Sequence, residues 1–366
     1  MLAFRPTDKG ILPDRLIRAL AEAGGIIPAA DLVPGQVQPA SLDLRLGDLA
    51  YRVRASFLPG RRATVADRIE DLKLHEIALG DGAVLETGCV YIVPLMESLA
   101  LPAEIAADAN PKSSTGRLDV FTRVIADGAR VFDRIEPGYH GPLYVEVSPR
   151  TFPVLVREGS RLSQIRFRRG YATLDAGALA ALHAREQLLD EEDAELDDGV
   201  ALGVDLAGFG PDALVGYRAK RHTALIDVDR RASYEVADFW EPIAARRDSL
   251  ILDPNEFYVL ASKQAVQVPP DHAAEMVPFD PLVGEFRVHY AGFFDPGFGY
   301  SGAGGQGARA VLEVRSREVP FILEHGQMVG RLVYERMLAR PERLYGQDIG
   351  SNYQAQSLKL SKHFRM

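Results

Sequence analysis

The chain has 366 residues, enough for two or three domains at about 150 residues each. Its 42 basic and 51 acidic residues leave a net charge of −9, with 47% apolar and 25% charged residues. That is an ordinary globular balance, and its acidic sign argues against a general nucleic-acid binder. The lone cysteine, Cys89, excludes an internal disulfide and any zinc site built on clustered thiolates, and it fits a reducing, cytoplasmic setting. The opening MLAFRPTDKG lacks the apolar run of a secretory signal. The most apolar stretch, 91–107, is broken by Pro94, Glu97, Pro102 and Glu104, so no membrane partner is expected.

In chain order, residues 13–23 (PDRLIRALAEA) predict a helix that puts Leu16, Ile17 and Leu20 on one face and stops at Gly24–Gly25. Short runs rich in Val, Ile, Tyr and Phe between Gly/Pro turns predict strands at 89–95, 143–147, 152–157 and 163–167. Residues 175–189 are rich in Ala and Leu and predict a second helix. Seven of the nine residues in 190–198 (DEEDAELDD) are acidic, which reads as a solvated linker because like charges resist packing. Further strands are predicted at 257–260, 311–314 and 327–334. The expected architecture is all-β dominated with a few short helices. Its expected parts are a domain over 1–190, a linker over 191–199 and a second domain over 200–366.

The halves repeat one order of motifs. YIVPLMESLALPAEIAAD and RIEPGYHGPLYVEV in the first are echoed by YVLASKQAVQVPPDHAAE and FFDPGFGYSGAGGQGARAVLEV in the second. Each has a strand, a proline corner, an E/D-P-G-aromatic turn and a strand centred on Glu. ASLDLRLG (40–47) is likewise echoed by ALGVDLAG (201–208). Shared order and spacing favour a tandem duplication.

Within 143–148, alternation sets Leu143, Val145 and Val147 on one face and Tyr144, Glu146 and Ser148 on the other. Taken alone, Glu146 reads as a solvent-facing strand residue. Glu313 occupies its place in the second half. PKSSTGRL (111–118) gathers Lys112, Ser113, Ser114 and Arg117, a set suited to an anion, although a plain polar turn fits the same composition. The corresponding second-half segment, FDPLVGE (279–285), lacks the serine pair and has Glu285 in place of Arg117. GAGGQG (302–307) matches a dinucleotide fingerprint in letters only, because a strand pattern and not a helix follows it. The eight histidines show no metal-ligand spacing, and the zinc-deaminase signature is absent.

With PKSSTGRL, the EPGYHGPLYVEV block and the C-terminal SNYQAQSLKLSKHF, the chain resembles the dCTP deaminase branch of the dUTPase-like superfamily. QVQPASLDLRLG (36–47) looks like that family's early strand. The resemblance implies two dUTPase-like distorted β-barrel or β-roll domains that self-associate, usually as trimers. It also implies deamination of dCTP to dUTP with Mg²⁺ carried by the triphosphate and no protein-bound metal. By position, Glu146 would be the general base, Ser113 would hold the water, and Arg117 would keep Glu146 ionised and support charge at cytosine C4. Lys112 and Ser114 would face phosphates, Tyr353 and Gln356 would close over the nucleotide from the tail, and phosphate contacts there would shift to Lys359 or Lys362 because Asn352 stands where the family often has Lys.

The first half departs from the family pattern. Glu136 stands where the family has the Asp of D-P-G, and VIADGARVFDR replaces the compact nucleoside hairpin. HYAGFFDPG (289–297) in the second half lies closer to that hairpin. The expectation is therefore a composite site, with Ser113, Arg117 and Glu146 from the first half and the base pocket around Tyr290, Ala291 and Asp295 from the second. A bifunctional enzyme forming dUMP, a dUTPase and a non-catalytic nucleotide binder are the alternatives.

Overall fold

In the computed structural model of this chain, the residues described are 5, 7–191, 195–245, 248–278, 286–288, 292–303, 307–316, 318–346 and 358–365. The chain forms two units. The first comprises Met1–Ala172, Ala224–Ser233 and Met337–Glu342, and the second comprises Thr173–Thr223, Tyr234–Arg336 and Arg343–Met366.

Alternating apolar residues build the same ladder in each unit. The principal sheet of the first unit runs in the order Lys73–Ala78, Leu49–Val53, Val90–Ala100, His140–Pro149, Val120–Ala126. In the second unit the order is Trp240–Ala244, Leu214–Ala219, Phe257–Val266, Ala308–Ser316, Phe286–Val288. A second sheet follows Gly10–Ile11, Ser163–Arg169, Ile105–Pro111, Arg134–Ile135 in one unit. Its counterpart follows Val200–Gly203, Met328–Arg336, His272–Pro278, Phe293–Phe294 in the other. The fold is thus mostly β with a few short helices, as expected, and its topology is written twice.

The turn entering the central strand is repeated in detail. Gly138 (φ 72°) and Gly297 (φ 98°) both adopt the left-handed region that a side chain disfavours. Their N–H groups donate to Pro102 O at 3.1 Å and Val268 O at 2.9 Å. At Gly297 even a methyl would lie 2.8 Å from Leu344 Cβ, so the E/D-P-G spacing is set by backbone sterics.

The first predicted helix is observed at Asp14–Glu22. The second, Ala176–Glu186, is capped by Asp175, whose carboxylate accepts from Ala178 N at 2.8 Å. It belongs to the second unit, where Leu179 and Leu182 enter the core with Leu260, Leu312 and Tyr334. The division therefore falls at 172/173, ahead of the acidic run. That run is not purely solvated: Asp190 accepts from Ala265 N at 2.8 Å, and Glu191 pairs with Lys263 at 2.7 Å. Lys263 holds the Glu191 carboxyl below its usual range.

One helix, Val65–Leu72, was not predicted. Thr64 caps it reciprocally with Asp67, at 3.1 and 2.9 Å. Its Val65 and Ile69 pack on Val53, Ile92 and Ile125 of the first principal sheet, with Phe57, Phe132 and Tyr144 around them.

The C-terminal strand Phe364–Arg365 pairs in parallel with Tyr234–Glu235. Phe364 packs edge-on against Phe239 at 5.5 Å and Trp240 at 5.9 Å between ring centroids. Phe364→Ala should destabilise the chain by about 3 kcal/mol, read as a lower urea midpoint. His272 supplies a pH test. Burial pushes its imidazole down to about 4, and its Nδ1 has no hydrogen-bond partner. The folded chain resists a proton that the unfolded chain accepts below about 6.5. Stability should therefore be full above that pH and fall as the pH drops toward 4. His272→Gln should flatten the decline in urea midpoints measured across that window.

Candidate active site

The PKSSTGRL segment forms a single helical turn, Ser113–Gly116, closed by Arg117. Arg117 N donates to Ser113 O at 3.1 Å, so these residues stand one turn apart on the same side. Ser114, Thr115 and Arg117 are buried, and Ser113 is half-buried. The turn is tied down by Lys112 N and Thr115 Oγ1, which both donate to Leu162 O at 2.9 and 2.8 Å. Lys112 does not point its charge outward as expected for a phosphate ligand. Its ammonium pairs with Asp43 of the early strand, whose other oxygen meets Arg161 at 3.3 Å.

Glu146 lies at the centre of the His140–Pro149 strand, and it is buried, not solvent-facing as the strand pattern alone suggested. Alternation identified its face but could not reveal that Arg123 of the neighbouring strand, under the Phe132 ring, meets it there. Register places Glu146 opposite Ile92 on one side and Arg123 on the other. Arg123 donates to Glu146 Oε1 twice, from Nε at 3.1 Å and Nη2 at 2.6 Å. Nη2 also donates to Ser56 Oγ at 2.9 Å. The guanidinium carbon lies 3.7 Å from the Phe132 ring centroid and 4.7 Å from that of Phe121. The cation on Glu146 is therefore Arg123 and not Arg117, because the antiparallel register brings 123 and 146 face to face. Glu146 Oε2 is buried without a hydrogen-bond partner.

The loop that replaces the compact hairpin supports this arrangement. Asp127 accepts from Val65 N at the start of the Val65–Leu72 helix, at 2.7 Å, and Asp133 accepts from Val124 N at 2.7 Å. Tyr139 accepts from Asp127 N and donates to Pro142 O at 2.6 Å; burial pushes its phenol up to about 12.

In the second unit, Glu313 is buried at the matching place on Ala308–Ser316, opposite Val259. Asp295 is buried in its D-P-G turn, whereas its counterpart Glu136 is exposed. Lys362 is half-buried in the anchored C-terminal segment. Tyr290, Ala291, Tyr353 and Gln356 lie outside the described residues. GAGGQG leads into the Ala308–Ser316 strand and not into a helix. Among the described residues no three His, Cys, Asp or Glu side chains are grouped to hold a metal ion, and no helix is long and apolar enough to cross a membrane.

The chain thus carries one β topology twice, with a braced serine–arginine turn in the first unit and a buried strand glutamate in each, and the family comparisons say which class of protein this is. The N-terminal domain of 2'-deoxycytidine 5'-triphosphate deaminase matches residues 8–171, and the C-terminal domain of the same family matches 175–364. The chain belongs to the dCTP deaminase family, whose members act on dCTP. A crystal structure of 2'-deoxycytidine 5'-triphosphate deaminase from Agrobacterium tumefaciens is 64% identical with a TM-score of 0.90, covering 94% of this chain and all of that one. A dCTP deaminase of Halorubrum lacusprofundi is 30% identical over 154 residues, 42% of this chain and 73% of its own. A dUMP-forming dCTP deaminase of Corynebacterium kroppenstedtii is 37% identical over 144 residues, 38% of this chain and 70% of its own.

Arg123→Ala should cost about 3 kcal/mol in denaturant unfolding, because it strands a buried carboxylate. Arg123→Met combined with Glu146→Leu should recover most of that loss.

Proposed function

We propose that the chain hydrolyses dCTP to dUTP and ammonia, using a strand carboxylate to activate water. The observation that carries this reading is the placement of Ser113 and Arg117 on one braced turn in a chain whose two halves both match the family. In this reading Ser113 positions the water, Arg117 supports charge developing at cytosine C4, and Ser114 donates to phosphate oxygens. Lys112 reaches the phosphates only by leaving Asp43, so its resting role is to brace the turn. Asp295 and Lys362 are assigned to the nucleoside and the tail respectively.

Mg²⁺ would arrive with the triphosphate, where it shields phosphate charge. The protein's task at that end is donation from hydroxyl and backbone N–H groups. Self-association of the β units and a cytoplasmic setting, consistent with the single Cys89, belong to the same reading.

In this reading the proton acceptor is Glu146, the role that its position within the resemblance implies, and Glu313 stands at the same ladder position of the second unit.

A second reading has one specific support, the dUMP-forming names among the relatives. It adds attack of water at the α-phosphate after deamination. Incubation with dCTP and Mg²⁺, following ammonia and nucleotides together, separates the outcomes. dUTP with equimolar ammonia is expected. Ammonia with dUMP and pyrophosphate selects the second reading, and dCTP bound without turnover overturns both. Ser113→Ala and Arg117→Gln should each lower kcat by about a hundredfold or more.

A further inference from the structure

The strands Val154–Val156 and Phe321–Glu324 hold the same place in the two halves, because VSPRTFPVLVREG (147–159) aligns without a gap on VRSREVPFILEHG (314–326). Each pairs antiparallel with one neighbour, Ala83–Leu85 in the first unit and Ser249–Leu252 in the second. On its other edge Val154–Val156 carries a parallel third strand, Ile226–Asp227, with Val154 opposite Ile226 and Leu155 opposite Asp227. Ile226 N donates to Pro153 O at 3.0 Å, and Val228 N to Leu155 O at 3.2 Å. Among the described residues the sheet of Phe321–Glu324 stops at two strands.

The third strand comes from a loop that the duplication also wrote twice. Ile226–Asp227 lies in 220–235, between Leu214–Ala219 and the VAD at 236–238. Its counterpart in the first half, 54–64, lies between Leu49–Val53 and the VAD at 65–67 and is shorter. Gly60 N of that loop donates to Ala129 O at 3.0 Å. Ile226–Asp227 and the 54–64 loop both belong to the first unit.

The second edge shows what the first one covers. Leu155 is half-buried, whereas its counterpart Ile322 is 60% exposed, Ile251 opposite it 57% and Val319 49%. Neighbouring apolar side chains this exposed on a strand edge form an attachment surface. Charge indicates what attaches. Arg157, two residues after Leu155, donates twice to Asp227, at 2.8 and 2.9 Å. The counterpart of Arg157 is Glu324, which is exposed and in no ion pair among the described residues. A strand seated here as Ile226–Asp227 is seated on the first edge sets its Asp227-equivalent beside Glu324. A carboxylate there is repelled, whereas Lys or Arg pairs with Glu324 and lays its alkyl stem over Ile322. The flanking positions match Ile226 and Val228, both buried, and so call for apolar residues.

We propose that Phe321–Glu324 is a docking edge for an extended segment of a partner protein with the pattern apolar–basic–apolar, added in parallel as the third strand of that sheet. Main-chain hydrogen bonds and the covering of Ile251 and Ile322 hold the segment, and Glu324 selects its charge. A second copy of this chain offering its own Phe321–Glu324 brings a carboxylate and no cation, so self-pairing does not meet this requirement.

The probes are labelled peptides of residues 223–231 (TALIDVDRR), unaltered and with Asp227→Arg, titrated against the full chain by fluorescence anisotropy. The Asp227→Arg peptide should bind about tenfold more tightly than the unaltered one, since attraction to Glu324 replaces repulsion, and a scrambled peptide of its composition should bind at least tenfold more weakly. Glu324→Arg, with thermal unfolding unchanged, should reverse the order of the two peptides. No binding up to about 1 mM, a scrambled peptide that binds equally, or an unreversed order in folded Glu324→Arg overturns the proposal. Ile322→Ser adds a sedimentation arm. Peptides that fail to bind, together with a smaller assembly in Ile322→Ser than in the unaltered chain, make a second copy the occupant and likewise overturn it.

Discussion

A carboxylate on the inner face of a β-sheet is costly unless a charge or several hydrogen bonds meet it, and this chain buries one at the centre of each principal ladder. Much of the first unit's irregular structure follows from that constraint. Glu146 requires Arg123, which requires Ser56 and the Phe132 ring to fix its fork. Phe132 in turn requires the loop that Asp127 fastens to the Val65–Leu72 helix. The unit answers a second buried carboxylate in a different way. Glu97 receives Arg45 Nε at 2.7 Å, Gln36 Nε2 at 2.9 Å and the Arg45 N–H at 2.8 Å, so both its oxygens are bonded. Glu97 is a satisfied structural ion, whereas Glu146 is bonded through one oxygen alone.

Duplication explains how such divergence is tolerated. With two copies of one ladder, the E/D-P-G turn and its left-handed glycine persist in both because backbone sterics demand them. Side chains that serve chemistry are under no such demand. The serine–arginine turn survives in the first copy, and the short hairpin sequence survives in the second.

The repeat, most strands and two helices were legible because alternation, proline corners and glycine turns are local signals. The strand predicted at 163–167 is observed at Ser163–Arg169, and that at 327–334 at Met328–Arg336. The burial of Glu146 was not legible, since period-two alternation gives a face without telling what covers it. Its partner Arg123 is 23 residues away and becomes adjacent only through antiparallel register. The Val65–Leu72 helix is brief, and its best signal was the Thr64-x-x-Asp67 reciprocal cap, with the shorter Asp in place of Glu. The acidic run misled on the domain boundary because charge density predicts solvation only where no cation is near. Lys263 and Arg331 meet Glu191 and Glu195 at 2.7 and 3.6 Å.

The first unit does not end where its sequence repeat ends. Ile226–Asp227 adds a parallel strand to Val154–Val156, and Asp227 binds Arg157 with two bonds, at 2.8 and 2.9 Å. Farther along, Leu338 N donates to Ile11 O at 2.8 Å and Glu342 N to Asp14 at 3.0 Å. A gene cut at the repeat boundary would thus deliver a first half missing one strand and the brace on its opening helix. Two modules that began as separable copies have been stitched into a single heritable piece, which recombination cannot split without damaging one of them.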